Sequence, residues 1–152
     1  LQLANYIATL VGGGQHYEAH LLKNVKSYDN SSVIYAYDKA PLNTVEMSGS
    51  TVQAVKEGMH NLTTGSLSYY FSNCVVSAGA KTGTAETGIA NTNNGVFVCF
   101  APYDDPQIAV AVVIEKGGSG AALASTAVDI VNSYFSQEEI GAVVIGENTL
   151  LK

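Results

Sequence analysis

The chain contains no arginine, and its seven basic residues are lysines scattered along 152 positions. With a formal charge of −6 it has no basic face for neutralising phosphates, which excludes nucleic acid as a partner. Long apolar runs are absent as well: the longest, Ile108 to Ile114, is strand-sized and far too short to cross a bilayer. The opening Leu1-Gln2-Leu3-Ala4-Asn5-Tyr6 has neither a basic flank nor a cleavage pattern, so it does not read as a signal peptide. It also lacks a starting methionine and begins inside an apolar-periodic stretch, which leads us to expect a cut fragment of a longer chain. Cysteine is limited to Cys74 and Cys99, outside any C-x-x-C pair, so no metal site follows from them and two small buried thiols are expected. Charge itself is scarce, at 13% of residues against 47% hydrophobic. That balance fits a packed globular unit, or a large piece of one, and argues against disorder.

Periodicity supplies the elements. Leu3, Tyr6, Ile7, Leu10 and Val11 recur at spacings of three and four, predicting an amphipathic helix that Gly12-Gly13-Gly14 ends. Leu21-Leu22 to Val25 and Val33 to Tyr37 read as short strands around the polar turn Asp29 to Ser32. Val52, Val55, Met59 and Leu62 form a second helical stripe, with Ser50 and Gln53 as its capping box. Leu62 to Ser72 reads as loop. Strands are expected at the Lys81 segment, at Val96 to Phe100 and at Ile108 to Ile114, the last apolar throughout and so covered on both faces. The short turns between them favour antiparallel pairing. A helix over 121–135 should present Leu123, Ala127, Ile130, Val131, Tyr134 and Phe135 on one face. The tail 136–152 holds a short apolar run, Ile140 to Ile145, and no structure is assigned to it.

Lys81-Thr82-Gly83-Thr84 is the most informative stretch. A K-T-G word is weak alone. Here it sits on an expected strand, followed by two more strands and a helix, which is the setting of the third motif shared by penicillin-binding proteins and serine β-lactamases. A fixed ammonium at Lys81 suits an anionic ligand, and hydroxyls at Thr82 and Thr84 can donate to it. Gly83 leaves room for a peptide laid along the strand edge.

The neighbouring words make the likeness specific. Gln2-Leu3-Ala4-Asn5, Gly58-Met59, Lys81-Thr82-Gly83-Thr84-Ala85-Glu86, Phe97 to Pro102 and Ile108 to Glu115 occur in an order that resembles class B penicillin-binding proteins, from Leu1 to about Phe135. These are monofunctional D,D-transpeptidases that cross-link peptidoglycan, and the Thr84-Ala85-Glu86 continuation is most similar to elongation-type members. The resemblance implies an α/β, penicillin-recognising fold, present in part: an antiparallel sheet flanked by helices. It implies that residues 1–152 form the C-terminal portion of one transpeptidase domain. It further implies a peptidoglycan stem peptide or β-lactam as ligand, no cofactor, and a membrane-anchored parent acting outside the cytoplasmic membrane. Lys81, Thr82, Gly83 and Thr84 would bind the substrate carboxylate. Lys81 would also help hold the local proton network, and the Thr84 backbone N–H would be half of an oxyanion hole. Cys99, Ala80 and Leu123 depart from the family's usual glycine, glycine and proline, which touches the fine shape of the site and its choice among β-lactams.

The nucleophile is missing. S-x-x-K requires serine three residues before a lysine, and those positions hold His20, Lys23, Ala36, Gln53, Ala78, Val113 and Thr149. S-x-N is absent, and Tyr28-Asp29-Asn30 falls in the expected hairpin turn. Without an activated nucleophile there is no acyl-enzyme, so the chain by itself is expected to be inactive and to rely on the missing N-terminal part of the domain.

Other constellations are weaker. His16, Glu18 and His20 would share a strand face but do not match H-E-x-x-H. Gly117-Gly118-Ser119-Gly120 reads as a tight strand-to-helix turn, since the P-loop order G-K-[ST] is reversed in Lys81-Thr82-Gly83. A β-lactamase or β-lactam sensor, a cysteine–histidine hydrolase using Cys74 or Cys99, and a non-catalytic module are the alternatives.

Overall fold

The computed structural model describes residues 1–38, 40–89 and 92–143. Helix α1 (Gln2–Val11) leads into four short strands, β1 (Gln15–His16), β2 (Asn24–Lys26), β3 (Val33–Ala36) and β4 (Asn43–Thr44). Helices α2 (Gly49–Thr64) and α3 (Ser68–Phe71) follow, then β5 (Gly79–Ala85), β6 (Asn94–Ala101) and β7 (Ile108–Ile114). A 3-10 turn, Gly120–Leu123, opens into α4 (Ala124–Val143).

The strands make three separate antiparallel units: ribbons β1–β4 and β2–β3, and a sheet in the order β5-β6-β7. Side chains alternate across a sheet, and here both faces are used. Val98 and Phe100 of β6 pack with Ile7 of α1 and Met59 of α2. Phe97, Cys99 and Ala101 face the other way, against Leu123, Ala124, Ala127 and Val131. Phe97, Phe100, Cys99 and Val131 are the largest fully buried side chains. The expected antiparallel sheet flanked by helices is therefore present.

Several expectations are corrected by the packing. The strand Ile108 to Ile114 is not covered on both faces: β7 is at the sheet's edge, Val110 is buried, and Val113 and Ile114 are 53% and 45% exposed. The doubly covered strand is β6, because among the described residues it alone has a neighbour on each side and helices above and below. Periodicity also overstated three helix faces. Leu3 and Tyr6 of α1, Val55 of α2 and Ile130 of α4 are exposed, while Ala124 and Val128 join the buried stripe of α4. A helix buries only the part of its apolar arc that meets a neighbour.

Boundaries shift too. The first ribbon strand starts at Asn24 rather than Leu21, and Leu21 and Leu22 stand exposed before it. The cap of α2 is Ser48, whose Oγ accepts from Thr51 N at 3.2 Å; Gln53 instead donates to Glu57 Oε1 and Tyr103 OH. The stretch 62–72 is not loop throughout: α2 runs to Thr64, and α3 forms as Leu67 and Phe71 turn onto the core. Helix α4 extends to Val143, into the tail, and the remaining tail residues, 144–152, lie outside the described residues.

Candidate active site

The site is built from the start of β5 upward. Thr63, buried on α2, places Oγ1 2.7 Å from Ala78 O and 2.8 Å from His60 O. His60 Nδ1 sits 2.9 Å from the same Ala78 oxygen, with its ring stacked on Tyr103. A carbonyl can only accept, so this nitrogen carries its proton. Two side chains of one helix thus hold the residue preceding β5. At Gly79 a Cβ would strike the Phe100 ring and Met59, so glycine lets the strand lie flush on that layer.

From there β5 pairs with β6 residue by residue, Lys81 opposite Val98, Thr82 opposite Phe97, Gly83 opposite Val96 and Thr84 opposite Gly95. Alternation puts Lys81 and Gly83 on the α1/α2 face and Thr82 and Thr84 on the α4 face. The four positions predicted from the sequence are consecutive residues of β5 and alternate between its two faces. Lys81 and Thr84 are exposed, and Thr82 and Gly83 half-buried. Beyond β6, no strand lies beside β5 among the described residues, so its other edge is open.

The backbone on that edge can be assigned. A point at Gly120's missing Cβ lies close to both Gly83 O and Val96 O. Those oxygens approach each other this closely only if Gly83 hydrogen-bonds toward β6. Thr82 and Thr84, on either side, therefore direct their N–H and C=O groups outward. Lys81 confirms the direction, since its Nζ donates to Thr82 O at 2.5 Å. The result is a strand edge with one ammonium, two hydroxyls and outward backbone donors, suited to an extended chain ending in an anion.

The other candidates separate from it. Strand β1 ends at His16, so Glu18 and His20 do not continue its alternation. His20 stacks on Tyr37, with Nδ1 3.0 Å from Glu18 O. Among the described residues no His, Cys, Asp and Glu cluster could hold a metal ion. Burial pushes the Cys74 thiol up, and burial with the neighbouring Cys74 pushes Cys99 up to about 12. Both stay protonated near neutrality, which removes the thiolate a cysteine hydrolase needs. Tyr28-Asp29-Asn30 lies in the β2–β3 turn, with Asn30 at φ 57°.

Sequence reasoning missed two supports of the site. Thr63 gave no signal, being one of several threonines, and His60 belongs to no motif. The Gly117 to Gly120 run was recognised as a turn, but not as a turn pressed against β5.

Comparison with known proteins identifies the family. Over 154 residues the chain is 32% identical to penicillin-binding protein 2B of Streptococcus pneumoniae, covering 88% of itself and 22% of that protein. The solved structure of the same protein superposes with a TM-score of 0.77 at 29% identity, over 90% of this chain and 24% of that one. Penicillin-binding protein 2A of Bacillus subtilis is 29% identical over all of this chain and 22% of its own length. Peptidoglycan D,D-transpeptidase MrdA of Escherichia coli is 26% identical, over 81% of this chain and again 22% of the relative. The chain thus spans about a fifth of the length of these curated relatives. The family model "Penicillin binding protein transpeptidase domain" matches residues 1–134, and the class B resemblance is borne out: the chain belongs to the penicillin-binding-protein transpeptidase domain family.

Proposed function

We propose that the chain is the K-T-G side of a peptidoglycan D,D-transpeptidase active site, the C-terminal portion of a domain whose serine and lysine base lie upstream of Leu1 in a longer protein. The open edge of β5 carries this reading. Lys81 and the hydroxyls of Thr82 and Thr84 hold the terminal carboxylate of a D-Ala-D-Ala stem peptide, and Gly83 lets the peptide lie close. The serine oxygen bonds to the penultimate carbonyl carbon, and the terminal D-Ala leaves with the proton on its amine. The outward Thr84 N–H stabilises the oxyanion formed on the way. Losing one such donor typically costs on the order of 3 kcal/mol. A β-lactam, which offers a carboxylate in the same place, is taken by the same edge.

The parent protein acts on the outer face of the cytoplasmic membrane, among the elongation-type enzymes. Among the described residues no helix is long and apolar enough to cross a membrane.

Fluorescent penicillin tests the reading. The protein extended upstream through S-x-x-K should carry covalent label after denaturation, and residues 1–152 alone should carry none. Replacing Lys81 by alanine in the extended protein should slow labelling on the order of a hundredfold. Label on the short chain, or none on the extended one, overturns the assignment.

A further inference from the structure

We infer that Gly120 is a positioning residue for the reaction at β5: the 3-10 turn it opens is a rear brace that sets where the Thr84 N–H stands. The inference rests on the proposed role of β5 and goes beyond it, since Gly120 touches no substrate. Gly120 is buried at the first position of the turn. A Cβ there would lie closer than 3.0 Å to Gly83 O, Gly83 N and Val96 O, all of them backbone atoms. Backbone in a paired sheet cannot swing aside as a side chain can. Gly120's own backbone conformation is one that any residue adopts, so glycine is required here for space alone.

The turn is itself fixed. Ser119 Oγ accepts from Ala121 N at 3.3 Å and Ser119 O from Ala122 N at 3.1 Å. Gly118 N donates to Asn93 O at 2.9 Å, and Lys116 N to Asn94 Oδ1 at 2.9 Å. Asn94 opens β6 and Asn93 immediately precedes it. Leu123 and Ala124 then enter the core behind the sheet. On this face the side chains of Thr82 and Thr84 flank the Gly83 peptide, and Gly120 occupies the gap between them. Any group larger than hydrogen must push the Gly83 peptide outward or lift the turn off the sheet. Pushing the peptide outward carries the next residue, Thr84, with it, and lifting the turn leaves the strand at Thr84 without its brace.

The test is Gly120→Ala in the protein that contains the serine, with Gly58→Ala as the control. A Cβ at Gly58 on α2 would meet nothing within 4 Å. Acylation by a fluorescent penicillin is resolved into its limiting rate constant and its half-saturating concentration. G120A should lower the rate constant roughly ten- to hundredfold, the scale of a misplaced donor, with half-saturation within about threefold and G58A unchanged. A merely structural defect would reduce the amount of protein labelled and leave the rate constant of the folded fraction alone. A rate constant within about twofold of wild type therefore overturns the inference.

Should the wild type take no label, the reading of the site fails. The brace is then judged by the amide resonances of Gly83 and Thr84, which G120A must move and G58A must not. Should G120A fail to fold, Gly95→Ala displaces the same turn more gently. Its Cβ would meet Leu123 Cδ1 at 3.3 Å and Ser119 O at 3.5 Å. A two- to fivefold slower acylation supports the brace, and an unchanged rate with unmoved Thr84 resonances refutes it.

Discussion

The β5-β6-β7 sheet and the β2–β3 ribbon are both antiparallel, but they are held by different forces. In β6, the five residues from Phe97 to Ala101 are all buried, with helices on both faces. In the ribbon, every residue of both strands is exposed, including Ile34 at 70%. The ribbon's order comes from its turn. Asp29 Oδ1 accepts from Ser27 Oγ at 2.6 Å and from Ser31 N and Oγ at 3.1 and 2.8 Å. Hydrophobic burial secures the first unit and local hydrogen bonding the second. The residues of the K-T-G segment lie on the buried unit, where packing from two sides can fix an atom's position.

Truncation of a large apolar side chain in each region is the hardest test of that contrast. Phe97→Ala empties a fully buried site and should cost about 3–5 kcal/mol in urea unfolding. Ile34→Ala in the ribbon should change stability by no more than about 0.5 kcal/mol. Similar values for the two would dissolve the distinction.

A smaller effect separates packing from polar anchoring within the buried unit. Thr63→Val keeps the shape of the side chain but removes the hydroxyl between Ala78 O and His60 O, and should cost about 1–3 kcal/mol. Thermal unfolding reads this directly, and an unchanged midpoint would mean that His60 alone secures the start of β5.

The weakest effect belongs to the ribbon. The Ser27 hydroxyl, with the Ser31 hydroxyl and N–H, lowers the Asp29 carboxyl from 3.8 to about 2. A depressed carboxyl helps its turn fully above pH 3.8 and loses that help as pH falls through about 2. An NMR titration should therefore show the Asp29 carboxyl still ionised at about pH 3 and its midpoint near 2, with the β5 amides unmoved. An Asp29 midpoint near 3.8 would show the turn hydrogen bonds to be absent in solution.

The same contrast explains what could be read from the letters. The sheet was legible because Val96 to Phe100 and Ile108 to Ile114 are apolar runs between clear turns, and because Lys81 to Thr84 sits in the order its family shows. The free edge of β7 was not legible, since an all-apolar strand has the same composition whether or not a neighbour covers Val113 and Ile114. The exposure of Leu3, Tyr6, Val55 and Ile130 was hidden for a related reason: periodicity reports which residues share an arc, not how wide the contact is. Choosing Ser48 over Ser50 as the cap needed the backbone, because both serines and Thr51 belong to one hydroxyl network. Gly120 was visible only as a turn residue. Its contact with Gly83 joins residues far apart in sequence and leaves no local pattern.

The pairing of donors on the Ala78 carbonyl has a mechanical consequence. It makes the start of β5 one bearing of a short beam, and the Gly120 contact at Gly83 the other, roughly 17 Å away at strand rise. Between two bearings a beam resists bending far better than one clamped at a single end. The segment carrying Lys81 and Thr82 lies inside that span, and Thr84 overhangs it by one residue. On the proposed reading of the site, a ligand pulling on the edge loads the stiff part through Lys81, while the small overhang leaves Thr84 N–H nearly as well registered. Placing the second bearing one residue from the N–H we propose as oxyanion donor keeps that group's travel short without a side chain ever touching it.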